Sequence, residues 1–339
     1  ASAEETYRTL RPSGGVVMLG SPHEVRMDVA AWLQKMQLSG PEKVADTWWR
    51  AARPRLENSG DWSGLYGNVG NTASSPDEHV RGPFGVLWYG EPGSKYMLDR
   101  HARSVSPLAV NGRLLVQGEE EVMGFDAYNG TFLWQRHIPG AVRSRVDVDG
   151  ANITAVGDHM FVAAFDRVHQ LDAQTGETIK EFVMPMREDG LARRWGYIAV
   201  DDGVLYGSAA LPLTHEFGHI WNTLQRDGAW ISENDVPVDL KEAYNKIVER
   251  LPKPTLEGFK RSGLNWAYTA NFPGWMPDHK PTPVNEKMMV SDALFAFDIS
   301  NGKPLWHRAA KDVPAISIAI GGGLIHFIEN DLNLAEREE

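Results

Sequence analysis

Short apolar runs return along this chain in a fixed order, each bounded by polar turns. First runs read NGRLLVQ (111–117), GDHMFVAA (157–164) and DGVLYGSA (202–209). Second runs read VMGF (122–125), VHQL (168–171) and ALFAF (293–297). An aspartate and a glycine turn follow each time: DAYNGTFLW (126–134), DAQTGETIK (172–180) and DISNGKPLW (298–306). Runs this short, rich in β-branched and aromatic residues and closed by Gly, Asn and Asp, predict strands joined by hairpins. Gly130, Gly176 and Gly302 stand where a tight turn needs positive φ. Asp126, Asp172 and Asp298 are placed to accept hydrogen bonds from the turn amides. Trp134 and Trp306 end the next strand and are able to pack between neighbouring sheets.

The spacing gives the unit its size. Asp126 and Asp172 are 46 residues apart, close to the length of a four-stranded propeller blade. Asp172 and Asp298 are 126 apart, one period plus about 80, which predicts an insertion over about 210–288. The expected fold is mainly β, a partial propeller of about three to four blades. Blade one is expected over about 105–138, blade two over 152–184 and blade three over 196–308. Residues 315–329 open a fourth blade. VLWYG (86–90) reads as the last strand of a preceding blade, with Trp88 in the position of Trp134. The alternative is a set of ordinary hairpins in a sandwich. An open propeller leaves raw strand edges. Missing blades are therefore expected from another chain or from a larger protein of which this chain is a segment.

The signature A-x-D-x-x-T/N-G-x-x-x-W resembles the quinoprotein (PQQ-like) β-propeller repeat. DWSGLYGNVGNTASSPD (61–77), DRHARSVSPLAVNGRLLVQG (99–118) and WGYIAVDDGVLYGS (195–208) are similar to large PQQ-like propeller proteins of planctomycete type. The resemblance covers about residues 45–335 and implies an extracytoplasmic, periplasmic location. In quinoprotein dehydrogenases it implies PQQ on the propeller axis, beside a Trp and an adjacent-Cys disulfide, with Ca²⁺ held by carboxylate and amide oxygens. This chain has no Cys, which removes that disulfide, and no carboxylate–Asn set can be assigned from the repeats. A complete PQQ and Ca²⁺ site is not expected within this chain alone.

Residues 1–45 break the pattern. Tyr7 and Leu10 share a face of a first helix, a Pro12-Ser13-Gly14-Gly15 stop follows, and VVML reads as a buried strand. A second helix is expected over 27–40, with Val29, Leu33 and Met36 on one side. This α/β unit resembles the C-terminal end of a class I S-adenosylmethionine methyltransferase domain. The glycine-rich cofactor loop of such a domain is absent from the sequence, so methyl transfer by this chain alone is not expected. Residues 46–84 read as a linker and an irregular lead-in, and 85–339 as propeller. Trp48 and Trp49 are expected either to plug the propeller edge or simply to pack.

Composition narrows the partners. The net charge of −11 and the lack of a Lys/Arg run argue against nucleic acid. No run of about 18 apolar residues predicts a membrane span. A protein partner, or the remaining propeller blades, is the expected neighbour.

Three sets of residues carry candidate chemistry. His215-Glu216-Phe217-Gly218-His219 places two histidines four apart, the spacing with which one helix face ligates Zn. A metzincin would carry a third His at position 225, where Gln225 stands. His215 and His219 are the candidate metal ligands, with a surface or packing helix as the alternative. Arg100, His101 and Arg103 lead into blade one, and Arg143 and Arg145, with Arg193 and Arg194, lie between later blades. If the blades are radial, these cations are expected to converge on an anion-binding mouth. Trp266, Tyr268, Phe272 and Trp275 in the insertion form either a binding loop or a cover. The expected function is a non-catalytic propeller scaffold or binding subunit. One alternative is a quinoprotein oxidoreductase whose cofactor site is completed by blades outside this chain. The other is a metal-dependent site at HEFGH.

Overall fold

The computed structural model describes residues 2–21, 28–36, 38–90, 105–118, 120–141, 152–185, 194–210 and 290–329. Helix α1 (Ala3–Thr9) is capped by the Ser2 hydroxyl, which accepts from the Glu5 amide, and carries Glu4 and Glu5 in its first turn. Both features stabilise a helix N-terminus. Strand β1 (Val16–Gly20) follows, then α2 (Val29–Gln34), capped by the Asp28 carboxylate on the Ala31 amide. The second helix is shorter than the pattern predicts. After it the chain extends into β2 (Ser39–Ala45) and turns back as β3 (Trp48–Ala52). The three strands form an antiparallel sheet in the order β1-β3-β2. Val17, Val29, Leu33, Met36, Leu38 and Ala51 close its core, with Tyr7, Leu10 and Trp49 packed against them.

Part of the stretch 46–84, expected as linker and lead-in, belongs to this sheet. Trp48–Ala52 is the middle strand of the N-terminal unit, so that unit runs past residue 45. Trp48 and Trp49 pack there, the former lying over Gly20. Arg11 joins the unit to blade one through Asp126 at 3.0 Å.

Three four-stranded antiparallel sheets make up the propeller. Blade one is β4 (Leu108–Val110), β5 (Arg113–Gln117), β6 (Glu121–Asp126) and β7 (Phe132–His137). Blade two is β8 (Ile153–Val156), β9 (His159–Ala164), β10 (Arg167–Asp172) and β11 (Thr178–Val183). Blade three is β12 (Arg194–Asp201), β13 (Val204–Ala210), β14 (Val290–Asp298) and β15 (Pro304–Pro314). In each sheet every strand pairs with the next in sequence. The insertion leaves blade three after Ala210, and Ala210 pairs with Ser291 at its base. A 3-10 turn at Ala315–Ser317 leads to the hairpin β16 (Ala319–Gly321) and β17 (Leu324–His326), the start of a fourth blade. Residues 83–90 form no strand, which corrects the expectation for VLWYG.

Blades pack face to face through apolar layers. Leu108, Leu115, Val122 and Trp134 of blade one meet Ile153, Met160, Val162 and Leu171 of blade two. Phe161, Val168 and Phe182 of blade two meet Trp195, Leu205, Phe295 and Phe297 of blade three. Trp195 and Phe295 stand edge to face with centroids 4.8 Å apart. Tyr197, Leu294 and Val313 of blade three meet Ile318 and Ile320. Radially stacked four-stranded antiparallel sheets with apolar faces between them define a partial β-propeller.

Candidate functional site

The repeated turn is built as the sequence predicts. Gly130, Gly176 and Gly302 have φ of +72°, +74° and +76°. Their amides donate to the carbonyls of Asp126, Asp172 and Asp298 at 2.8–2.9 Å. The three carboxylates accept from the amides of Tyr128, Gln174 and Ser300. The Ser300 hydroxyl first, then its amide, holds the Asp298 carboxyl below the usual aspartate range.

Just before each aspartate the strand register slips: at Gly124/Phe125, Gln170/Leu171 and Ala296/Phe297. Such a bulge re-aims the residue beside it. The residues so placed, Trp134, Lys180 and Trp306, pair with Gly124, Gln170 and Ala296. Trp134 lies third in its strand, not at its end, and leaves its own sheet to grip the next.

The Trp134 indole N–H donates to the Ala173 carbonyl at 2.9 Å, and its ring covers Gly176. A Cβ on Gly176 would stand 2.6 Å from that ring. Arg136 adds a bond to the Gly176 carbonyl at 2.8 Å. The Lys180 ammonium repeats the joint on blade three, donating to the carbonyls of Ile299 at 2.9 Å and Ser300 at 2.7 Å. Its stem lies over Gly302. Trp88 makes the same joint to blade one: its indole N–H donates to the Ala127 carbonyl at 2.8 Å and its ring covers Gly130. Ala127, Ala173 and Ile299 each follow the turn aspartate. Their own amides are fixed to the Gly112, Asp158 and Gly203 carbonyls of the first turn of their blade. Trp306 is 37% exposed, against 6% for Trp134, and its described ring neighbour is Tyr206 of its own blade.

A second feature escaped the sequence. Residues 62–71 cross the inner rim and meet the first strand of every blade. Trp62 and Ala109 exchange two backbone bonds, at 2.8 and 2.9 Å. The Ser63 carbonyl accepts from the Ala155 amide and the Thr154 hydroxyl, both at 3.0 Å. The Val69 carbonyl accepts from the Ile320 amide, and the Asn71 side chain donates to the Ile318 carbonyl, both at 2.8 Å. Between these points Gly64, Leu65 and Tyr66 face Tyr197, Ile198 and Ala199 around a cavity of about 20 Å³. That is room for about one water. Burial pushes the Tyr197 phenol well above its usual range, so it stays protonated. The segment's Gly and Asn content, with positive φ at Gly67 and Asn71, was the available signal.

Arg100, His101, Arg103, Arg143, Arg145 and Arg193 lie outside the described residues, as do His215, His219 and the aromatic loop 266–275. The described chain ends that bracket them, at Val105, Ala141, Asn152, Arg194 and Ala210, belong to the blade end opposite the aspartate turns. Arg194 is described: its guanidinium lies 4.4 Å from the Phe165 ring centroid, a cation–π contact across blades two and three. Below the insertion, the Ser291 hydroxyl donates to Ser208 at 2.8 Å, and Ser208 accepts from the Tyr197 amide at 2.9 Å. Among the described residues, no group of three or more His, Asp or Glu is placed to hold a metal, and no helix is long and apolar enough to cross a membrane.

No family model matches the sequence, and no curated protein matches it. In structure the chain is similar to the quinohemoprotein alcohol dehydrogenase ADHIIG from Pseudomonas putida HK5, at 13% identity and a TM-score of 0.34 over 79% of this chain and 44% of that one. It is also similar to the quinohemoprotein alcohol dehydrogenase from Comamonas testosteroni, at 13% identity and 0.30, over 79% and 45%. BamB from Moraxella catarrhalis matches at 12% identity and 0.27, over 67% and 61%. The chain spans less than two-thirds of the length of each. The fold assignment rests on the sheets and joints described above.

Proposed function

We propose that this chain is a non-catalytic propeller scaffold or binding subunit of a larger assembly. The observation that carries this reading is the Trp88 segment. Trp88 is docked on blade one as Trp134 is docked on blade two, yet the residues around it are bare. Phe84, Val86, Leu87 and Tyr89 are 78%, 83%, 71% and 93% exposed. A contiguous apolar run rimmed by polar residues marks a protein interface. The inner rim, by contrast, is filled by the chain's own residues 62–71. Binding is therefore assigned to the apolar segment 84–90, and a protein surface to its partner. The extracytoplasmic location implied by the PQQ-like resemblance is part of this proposal, as is the PQQ-like affiliation itself.

The test is native mass spectrometry of the protein isolated from its source, with quinone and metal analysis of the same sample. A stable complex without stoichiometric PQQ is expected. PQQ with Ca²⁺ bound and dye-linked alcohol oxidation would overturn the scaffold reading in favour of the quinoprotein oxidoreductase. Stoichiometric Zn lost in His215→Ala would overturn it in favour of the metal site at HEFGH.

A further inference from the structure

Three residues before each turn aspartate the repeat buries a side chain in its third strand. Blade one has Met123 there and blade three has Phe295, both 1% exposed. Met123 packs with Val116 and Phe125. Phe295 lies in the apolar layer that blade three shares with blade two. Blade two breaks the rule with His169, whose side chain is 18% exposed. A titratable group thus stands where the other two blades use apolar packing.

Charged side chains surround it on three sides. Glu181 of β11 is its partner across the strand pair, with Nδ1 to Oε1 at 3.2 Å. The other oxygen of that carboxylate accepts from Arg167 at 2.7 Å. Arg167 also lies 3.6 Å from Asp166. Arg136 crosses from blade one, donating to the Gly176 carbonyl at 2.8 Å and to the Thr178 hydroxyl at 3.5 Å. From there its charge acts on the imidazole. On the remaining side Val162 of β9 is apolar. Among the described residues, one carboxylate and two guanidiniums therefore face His169.

We propose that the seam between blades one and two is proton-sensitive and that His169 is the group that takes the proton. A neutral imidazole with its hydrogen on Nδ1 donates to Glu181 and adds no charge. A protonated one sets a third cation against a single carboxylate, in a site mostly removed from water. The added charge opposes the Arg136 contacts to Gly176 and Thr178. The Trp134 joint is made by an indole and an apolar layer, and stays in place. Acid thus loosens the outer strand β11 against blade one without parting the blades. The inference goes beyond the scaffold function proposed above and does not depend on its partner. Burial, the largest cause, lowers the His169 pKa from its ordinary 6.5; Glu181 pulls the other way, and Arg167 and Arg136 add to the lowering. A histidine held below that value contributes its full stability above pH 6.5 and loses it as the pH falls through the folded value.

The test follows the histidine ring protons of the full chain by NMR, with the His169 signal identified by its loss in His169→Gln. Its midpoint is expected below 6.5. Arg136→Gln removes a facing cation and is expected to move the midpoint up. Glu181→Gln removes the one facing carboxylate and is expected to move it further down. Hydrogen exchange reads the seam itself. Protection of Thr178–Val183, corrected for the intrinsic rate, is expected to fall at least about threefold between about pH 7.5 and about pH 5.5. In His169→Gln it is expected to stay level. A midpoint at or above 6.5, or one that neither Arg136→Gln nor Glu181→Gln moves, overturns the proposal. So does a His169→Gln variant that loses protection with acid as the parent does. If His169→Gln fails to fold, the opposite shifts in the other two variants decide the matter.

Discussion

The joint between blades one and two and the joint between blades two and three do the same work with different chemistry. In the first, an indole donates to Ala173 and its ring seals Gly176. In the second, an ammonium donates to Ile299 and Ser300 while a methylene stem covers Gly302. The position therefore demands a donor at the end of an apolar reach, over a glycine with positive φ. It does not demand tryptophan. The difference lies in packing: the Trp134 ring crowds Gly176 and Gly124 closely, whereas the Lys180 stem leaves Gly302 a contact of 3.4 Å.

That contrast orders the substitutions. Trp134→Ala is expected to cost about 3–5 kcal/mol, the range for truncating a buried tryptophan, read as a lowered urea midpoint. Gly176→Ala combines a strained φ with a clash against the Trp134 ring, and is expected to cost about 2–4 kcal/mol. Gly302→Ala meets only the φ penalty, about 1–2 kcal/mol, because its neighbour is farther away. Equal losses at the two glycines would break the comparison. Lys180→Met keeps the stem and removes the donor, and is expected to cost about 1 kcal/mol or less in a half-exposed setting. Trp306→Ala, at a ring 37% exposed with no described partner in a neighbouring blade, is expected to cost well under the Trp134→Ala loss, about 1 kcal/mol or less.

Acid titration sharpens the picture at the turns. The folded Asp298 carboxyl titrates below its ordinary value of 3.8, so its contribution is in place above that value. It is lost as the pH falls through the folded value. Asp298→Asn is expected to flatten the acid limb of the stability profile below about pH 4. An unchanged limb would remove this carboxylate from the account.

The blade repeat was legible because its signals are local. A run of apolar residues, an aspartate and a glycine at fixed spacing encode one hairpin, and the structure has that hairpin three times. The Lys180 joint was illegible because the match to Trp134 is in geometry, not residue type. A bulge at Gln170/Leu171 brings the lysine to the neighbouring turn, and no local pattern announces it. Trp48–Ala52 was read as linker because its aromatic and basic residues run into a proline. One of its two partners, Val16–Gly20, lies about 30 residues back in the chain. Residues 62–71 were hidden for a related reason: their bonds go to Ala109, Ala155 and Ile320, spread over most of the propeller. The arginine mouth and the HEFGH pair remain proposals of the sequence, since those residues lie outside the described structure.

The central claim is that residues 84–90, docked on blade one through Trp88 and exposed in the single chain, are the segment a partner covers in the assembly. Hydrogen–deuterium exchange of the source-isolated assembly tests it most directly. The account predicts amide protection over 85–89 comparable to that of Phe132–His137 in β7, the outer strand of blade one. Exchange over 85–89 as fast as in an unprotected coil, with β7 fully protected, would contradict it.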